Sequence, residues 1–165
     1  MAVRAEADAH VSAALREQNF GRLRRLTIDG RPVTRAYLRF DVSEVDEDAR
    51  RINLLLYSHR ASRIGYQVRL ATRRFRERRV TFANAPRASS RFVVSGRLRA
   101  RRWKAVDITS LLGTVPEEVS LVLTTAGPNA IAISSRESGI TGPRLVVEYG
   151  PPETVSTPPP PPPAP

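Results

Sequence analysis

The heptapeptide Ala36-Tyr37-Leu38-Arg39-Phe40-Asp41-Val42 sets the structural class of this protein. Within it, Ala36, Leu38, Phe40 and Val42 alternate with Tyr37, Arg39 and Asp41. Successive side chains of an extended strand point to opposite faces, so this period of two predicts a β-strand with one apolar face.

Further short apolar runs follow along the chain, and they are separated by turn signals such as Asp29-Gly30 and Gly127-Pro128-Asn129. The predicted strands are Leu23–Ile28, Ile52–Ser58, Arg63–Ala71, Val80–Phe82, Phe92–Leu98, Trp103–Ile108, Ser120–Thr125, Ala130–Ser134 and Leu145–Tyr149. Only residues 43–51 and 107–112 suggest a turn of helix, the second with Asp107 as its N-cap. We therefore predict an all-β fold, an antiparallel, jelly-roll-like β-sandwich over residues 1–150.

The sharpest change of composition comes after this domain, where nine of the 14 prolines lie in Pro151–Pro165. Proline fixes φ and lacks a backbone donor, so the segment predicts polyproline II without a packed core. Its non-proline residues include no Arg or Lys to orient a docking ligand. We expect residues 151–165 to be a disordered Pro-rich linker to neighbouring modules.

Positive charge dominates the composition, with 27 Lys+Arg against 16 Asp+Glu and a net charge of +11. Lys104 is the only lysine, so nearly all of this charge is guanidinium. Guanidinium forks match carboxylate and phosphate oxygens bidentately, which favours an anionic polymer as partner. Acidic polysaccharides and nucleic acids both fit this description.

Several classes of function find no support in the sequence. The chain has no cysteine, and its two histidines, His10 and His59, form no His-Glu-x-x-His motif. Nucleophile elbows, phosphate-binding loops and apolar runs of membrane-spanning length are missing too. We expect no enzyme, no cofactor and no membrane span, and residues 1–10 lack the apolar stretch of a signal peptide.

A metal site is not indicated either. Glu44, Asp46 and Asp48 form an acidic turn, but the glycine and closing glutamate of a calcium loop are missing. We expect an exposed turn there. A structural calcium site with ligands from distant loops is left open as an alternative.

Seven short motifs, taken in order, resemble the DNRLRE domain, also described as carbohydrate-binding module family ninety-six. They are Ala7-Asp8-Ala9, Asn19-Phe20-Gly21, Tyr37-Leu38-Arg39-Phe40-Asp41-Val42-Ser43, Thr81-Phe82-Ala83-Asn84-Ala85-Pro86, Val106-Asp107-Ile108-Thr109-Ser110-Leu111, Ser135-Arg136-Glu137-Ser138 and Pro143-Arg144-Leu145-Val146-Val147. The resemblance implies a non-catalytic β-sandwich, usually one module of a secreted bacterial protein, with alginate binding described for some members. Phe82 stands where the family usually has tryptophan, and Arg73–Arg79 replaces an acidic-tryptophan stretch.

In alginate-binding members of that family, the resemblance implies a basic groove near the first long hairpin and an aromatic residue on the final strand. The first-choice ligand-binding residues of this chain are therefore Arg22, Arg24, Arg25, Arg35 and Tyr149. Guanidiniums can bind uronate carboxylates while a phenol ring covers a sugar face. Tyr149 falls on the same strand face as Leu145 and Val147, so the alternative, which is equally open, is that its ring packs inside the sandwich.

A second candidate site comes from the spacing of charges. Arg97, Arg99 and Arg101 fall on one side of a predicted extended segment, about 6 to 7 Å apart, which suits a charged polymer. Trp103, the only tryptophan, follows them between two cations. Stacking on a sugar and packing within the protein are both open for this ring.

Two charge pairs are interpreted as structural ion pairs. Arg39 and Asp41 share one strand face, and Arg136 precedes Glu137. Charged groups near the edge of a sandwich need partners to offset desolvation. The alternative is that Arg39 or Arg136 binds a ligand carboxylate.

We expect a non-catalytic module for an anionic polysaccharide of the alginate or uronate class, located extracellularly or in the cell envelope. A structural or adhesive spacer without a glycan ligand is the main alternative, and a nucleic-acid binder is the third.

Overall fold

The computed structural model describes residues 1–150, and this part of the chain contains eleven strands and two short helices. The strands are β1 Ala2–Arg4, β2 Ala7–Ser12, β3 Arg25–Gly30, β4 Val33–Asp41, β5 Ala49–Ser58, β6 Gln67–Leu70, β7 Val93–Val94, β8 Arg102–Asp107, β9 Glu118–Thr124, β10 Ile131–Ser134 and β11 Arg144–Tyr149. The helices are α1 Thr109–Leu112 and a 3₁₀ helix, Arg136–Thr141.

All strand pairs are antiparallel, and they fall into two groups. In the first, β5 pairs with β8, β10 and β11, and β11 pairs with β1. In the second, β4 pairs with β2 and β9, which is followed by β6 and β7. Strand β3 pairs with β10 and, through Asp29 and Gly30, with β4, so it joins the two groups into one hydrogen-bonded network.

The two groups of strands enclose one apolar core. Leu54 and Leu56 of β5 belong to the same buried cluster as Leu38 and Phe40 of β4. Strands of both groups thus turn one face towards the other, as in a sandwich. The predicted all-β antiparallel fold is confirmed.

The second face of β4 is buried as well, because residues 71–92, which we call the cover segment, lie across it. Phe75 and Val80 pack with Tyr37 in a second apolar cluster. The Tyr37 hydroxyl donates to the Pro86 carbonyl at 2.8 Å, and Arg39 donates to the Phe75 carbonyl at 2.6 Å. The face of β4 that its sequence marks as the more polar one is therefore inside the protein.

Several local predictions need correction. Val80–Phe82 forms no strand. It belongs to the cover segment, and its apolar side chains pack in the second apolar cluster. Residues 43–48 form turns without a helix. Helix α1 is where a helical turn was expected, but its N-cap is Ile108, while Asp107 Oδ1 accepts the Thr109 amide at 2.9 Å.

Strand β2 lacks a sequence signal because all six of its residues are buried, polar and apolar alike. Its pattern of small and polar side chains therefore shows no apolar period. None of the helices in the described residues has the length and apolar character needed to cross a membrane. The predicted linker at 151–165 lies outside the described residues.

Two glycines with positive φ provide a test of the backbone near the ends of β6 and β7. Gly65 has φ +72°, and a Cβ there would clash with the Gly96 carbonyl and the Ser95 hydroxyl. Gly96 has φ +67°, but apart from its chain neighbours no atom of residues 1–150 lies within 4 Å of the Cβ that it would gain.

We predict that Gly65→Ala lowers the free energy of unfolding by about 3 kcal/mol, since a steric clash adds to the cost of a positive φ. Gly96→Ala should cost about 1 to 2 kcal/mol, because it carries the φ cost alone. Urea denaturation of both variants measures the difference. Equal losses would show that the close approach at Gly65 is not rigid.

Candidate functional site

Four loops meet at one end of the sandwich and line three adjoining cavities. The loops are residues 31–32, 59–66, 95–101 and 125–130. The cavities measure about 170, 590 and 360 Å³. Arg97 and Arg99 line both the first and the second, and Gly127 and Pro128 line both the second and the third. We call this continuous depression the end groove.

The end groove is strongly basic. Seven cationic residues line it, against one acidic residue, Asp29; they are Arg31, Arg35, Arg63, Arg97, Arg99, Arg102 and Lys104. None of the seven has an ion-pair partner among the described residues. Their charges are therefore not neutralised within this part of the protein and remain available to an anion.

An aromatic cluster adjoins one end of the groove. Trp103, in β8, is 40% exposed, and its ring meets Tyr57 of β5 edge-on at 5.6 Å between centroids. The Arg144 guanidinium lies over the indole, 4.6 Å from its centroid. Because Trp103 also lines the first cavity, the groove combines an exposed aromatic ring with cations.

His59 extends this cluster beyond Tyr57, and their ring centroids are 5.3 Å apart. Burial, followed by the charge of Arg25, lowers the pKa of His59. Its Nε2 lies 2.8 Å from the Ser134 hydroxyl. The imidazole is therefore neutral at pH 7 and contributes a polar edge to the cluster without adding charge.

The structure disperses the first-choice ligand-binding residues. Arg22, Arg24 and Arg25 are exposed at the start of β3, outside the end groove. Arg35 lines the groove, and its guanidinium lies 4.9 Å from the ring centroid of Phe82. Phe82 of the cover segment thus packs against an arginine of the groove.

Tyr149 lies farthest from the groove. It pairs with Ala49, at the other end of β5 from Ser58, which is about 30 Å away at the usual strand rise. A register shift between Glu148 and Tyr149 breaks the alternation, so the ring is 38% exposed and does not pack with Leu145 and Val147. The five first-choice residues therefore do not form one site.

Three of the four second-choice residues come together. Arg97 and Arg99 flank the buried Leu98 and share the first cavity with Trp103. Arg101 has φ +55° in the turn that leads into β8, so it leaves the line of the other two arginines. The predicted row of three evenly spaced arginines is thus shortened to two.

The predicted ion pairs are rearranged. Arg39 forms its ion pairs with Glu6 at 3.4 Å and Glu118 at 3.7 Å, whereas Asp41 accepts hydrogen bonds from Ser43. Arg136 lies 3.6 Å from Glu137 but makes its shorter contact, at 2.6 Å, with Glu77. Neither Arg39 nor Arg136 lines the end groove.

The sequence did not single out Arg31, Arg63 or Tyr57 as site residues. These residues belong to separate loops and strands, and strand pairing alone brings them to one end of the sandwich. The available signal was weak: each arginine lies within two residues of a predicted turn or strand end.

Comparison with protein families gives one match, to a family described as carbohydrate-binding module family 96, over residues 1–149. The matched range includes every residue of the end groove. No curated protein matches the chain.

The contact of Arg144 with the only tryptophan leads to a spectroscopic prediction. We expect Arg144→Ala to increase acrylamide quenching of Trp103 fluorescence and to cost about 0.5 to 1 kcal/mol of stability, since the variant removes a partly exposed cation–π contact. Arg91→Ala is the matched control. Arg144 donates to the Ile140 carbonyl as well as contacting the indole, and Arg91 likewise donates to a carbonyl, that of Ser110, at 2.9 Å. Similar quenching in both variants would contradict the contact.

Proposed function

Because the chain belongs to carbohydrate-binding module family 96, we propose that it is a non-catalytic module that binds an anionic polysaccharide along the end groove. The resemblance of its motifs to this family is confirmed. Alginate-like uronates are the proposed ligand class.

The observation that carries the proposal is the set of seven cationic side chains that line the groove and have no ion-pair partner within residues 1–150. A chain of uronates repeats one carboxylate per sugar, and each can accept a charge-assisted hydrogen bond from a guanidinium. Because the three cavities adjoin, the cations are spread along the groove and are not clustered at one point. This arrangement suits a polymer better than a single small anion.

The aromatic end of the groove supports a sugar in preference to an inorganic anion. Sugar rings present C–H faces that pack on aromatic rings, and Trp103 is exposed beside Arg97 and Arg99. Ile64 and Pro128 add apolar surface in the central cavity. A ligand with both charge and apolar faces would use all of these contacts.

We also propose that the module works extracellularly or in the cell envelope as part of a longer secreted protein. Support comes from the family and from the Pro-rich composition of residues 151–165. Fractionation of the source cells checks this, with recovery of the protein only in the cytoplasm as the contrary outcome.

Affinity electrophoresis in gels that contain alginate, pectin, dextran or duplex DNA tests the ligand class. We predict retardation by alginate and pectin and none by neutral dextran. Retardation should weaken as salt rises, because charges are screened within about 8 Å at physiological ionic strength. Indifference to every polysaccharide would favour a spacer domain, and retention by DNA alone would favour a nucleic-acid binder.

Two charge-matched triple variants locate the site. Replacing Arg63, Arg97 and Arg99 by Ala removes three cations from the groove, whereas replacing Arg22, Arg24 and Arg25 removes three exposed cations outside it. At about 1 kcal/mol per exposed contact, the first variant should bind alginate about a hundredfold more weakly.

The second variant should lose far less affinity, although it has the same net charge. Both should unfold at temperatures close to that of the wild type, since all six side chains are exposed. Equal weakening would show that retention follows overall charge and that the end groove is not the site.

A further inference from the structure

A second constellation lies away from the end groove, where three carboxylates meet. Asp8 comes from β2, Glu77 from the cover segment and Glu137 from the 3₁₀ helix. One oxygen from each lies within 4.8 Å of the others. Two ligands of one calcium ion, each about 2.4 Å from it, are at most about 4.8 Å apart, so these oxygens can share one ion.

One arginine partly neutralises the cluster. The Arg136 guanidinium donates to both oxygens of Glu77, at 2.6 and 3.0 Å, and lies 3.6 Å from Glu137. When all three carboxylates are ionised, as they would be around a bound cation, one guanidinium leaves a net charge of two negative units. A divalent cation would balance this charge.

Independently of the charge, Asp8 has a buried oxygen without a binding partner in the described part of the chain. Asp8 is only 1% exposed, and its Oδ2 accepts a hydrogen bond from the Arg136 amide at 2.6 Å. Its other oxygen, Oδ1, is buried and has no hydrogen-bond partner among the described residues. A buried polar atom without a partner is costly, so such an atom beside two more carboxylates indicates that a ligand completes the site.

The surroundings of the carboxylates act on their pKa values in opposite directions. Burial raises the pKa of Asp8 to about 8, an effect that the Arg136 amide opposes and the charges of Glu137 and Glu77 strengthen. Desolvation also acts to raise the pKa of Glu77, but its bonds to Arg136 and the Asp8 amide keep that pKa below the usual value. Burial thus disfavours the charged form of Asp8 as long as no cation lies beside it.

We propose that Asp8, Glu77 and Glu137 form a divalent-cation site that takes calcium. All three donors are carboxylate oxygens, which hard cations prefer, and calcium accepts irregular geometry more readily than magnesium does. Glu77 Oε1 already accepts from both Arg136 and the Asp8 amide, but Oε2 accepts from Arg136 alone among the described residues. Since a carboxylate oxygen has two lone pairs, Oε2 can bind the ion and still accept from Arg136.

The ion would join segments that are distant in the sequence. The carbonyl of Glu77 already accepts a hydrogen bond from Asn19 at 2.8 Å, and a Cβ on Gly21 would clash with the same carbonyl. The loop that leads into β3 therefore packs directly on the cluster. Calcium at this point would hold β2, the cover segment, this loop and the 3₁₀ helix together.

Thermal unfolding in the absence of polysaccharide tests the site. After dialysis against EDTA, calcium at about 100 times its Kd should raise the Tm by about 5 to 10 °C, because the ion binds the folded state alone. Magnesium at equal ionic strength should have a smaller effect. No calcium-dependent shift at millimolar concentrations overturns the proposal, and an equal response to magnesium overturns the choice of calcium.

Three variants locate the bound ion. Asp8→Asn and Glu137→Gln, which keep the size of the side chain, should each abolish the shift in Tm. Glu137 is only partly buried, so this variant remains informative if Asp8→Asn does not fold. Glu44→Gln, in the exposed acidic turn, is the control and should respond like the wild type. A full response in Glu137→Gln places the ion elsewhere and overturns the proposal.

This outcome is independent of polysaccharide binding. Retention on alginate, a ligand that itself binds calcium, is measured separately with EDTA present. Loss of retention together with an intact calcium response would reject the end groove alone, and the converse result would reject the cation site alone.

Discussion

The burial of β4 on both faces is the constraint on which the rest of the structure depends. One face lies in the main core, and the other lies beneath the cover segment. Burying a strand with Tyr37 and Arg39 on it requires partners for their polar groups, since unpaired ones would oppose folding. The carbonyls of Pro86 and Phe75 supply those partners. The cover segment therefore acts as part of the core although it contains no regular strand.

The class of the fold could be predicted from the sequence because period-two alternation is a local property. Strands β5, β8, β10 and β11 each lie within or close to a predicted apolar run. Burial by a distant segment is not local, so the more polar face of Tyr37 and Arg39 could not be recognised as interior. Strand β2 was missed for the same reason, since Asp8 and His10 are buried by residues far along the chain.

The candidate site was predicted only in part, again because residues that are far apart in the sequence meet in the fold. Arg97, Arg99 and Trp103 are close in sequence, and they remain close in the fold. The grouping of Arg35 with Tyr149 rested on the family pattern, and strand register places these residues at different ends of the sandwich. Arg63 joins the groove because the β5–β6 loop reaches the same end, a relation that no local motif encodes.

The two faces of the Trp103 indole are not equally accessible from the groove. An indole has two faces, and the Arg144 guanidinium already covers one of them. Only the opposite face is left for stacking, while the neighbouring cations of the groove fix where carboxylates can lie. The two faces of a pyranose differ in their C–H and hydroxyl groups, so a sugar stacked here would be selected by face as well as by charge. A polymer that entered the groove in the reverse direction would present its rings and its carboxylates in a different relation to these contacts, so the proposed binding would depend on the direction of the chain.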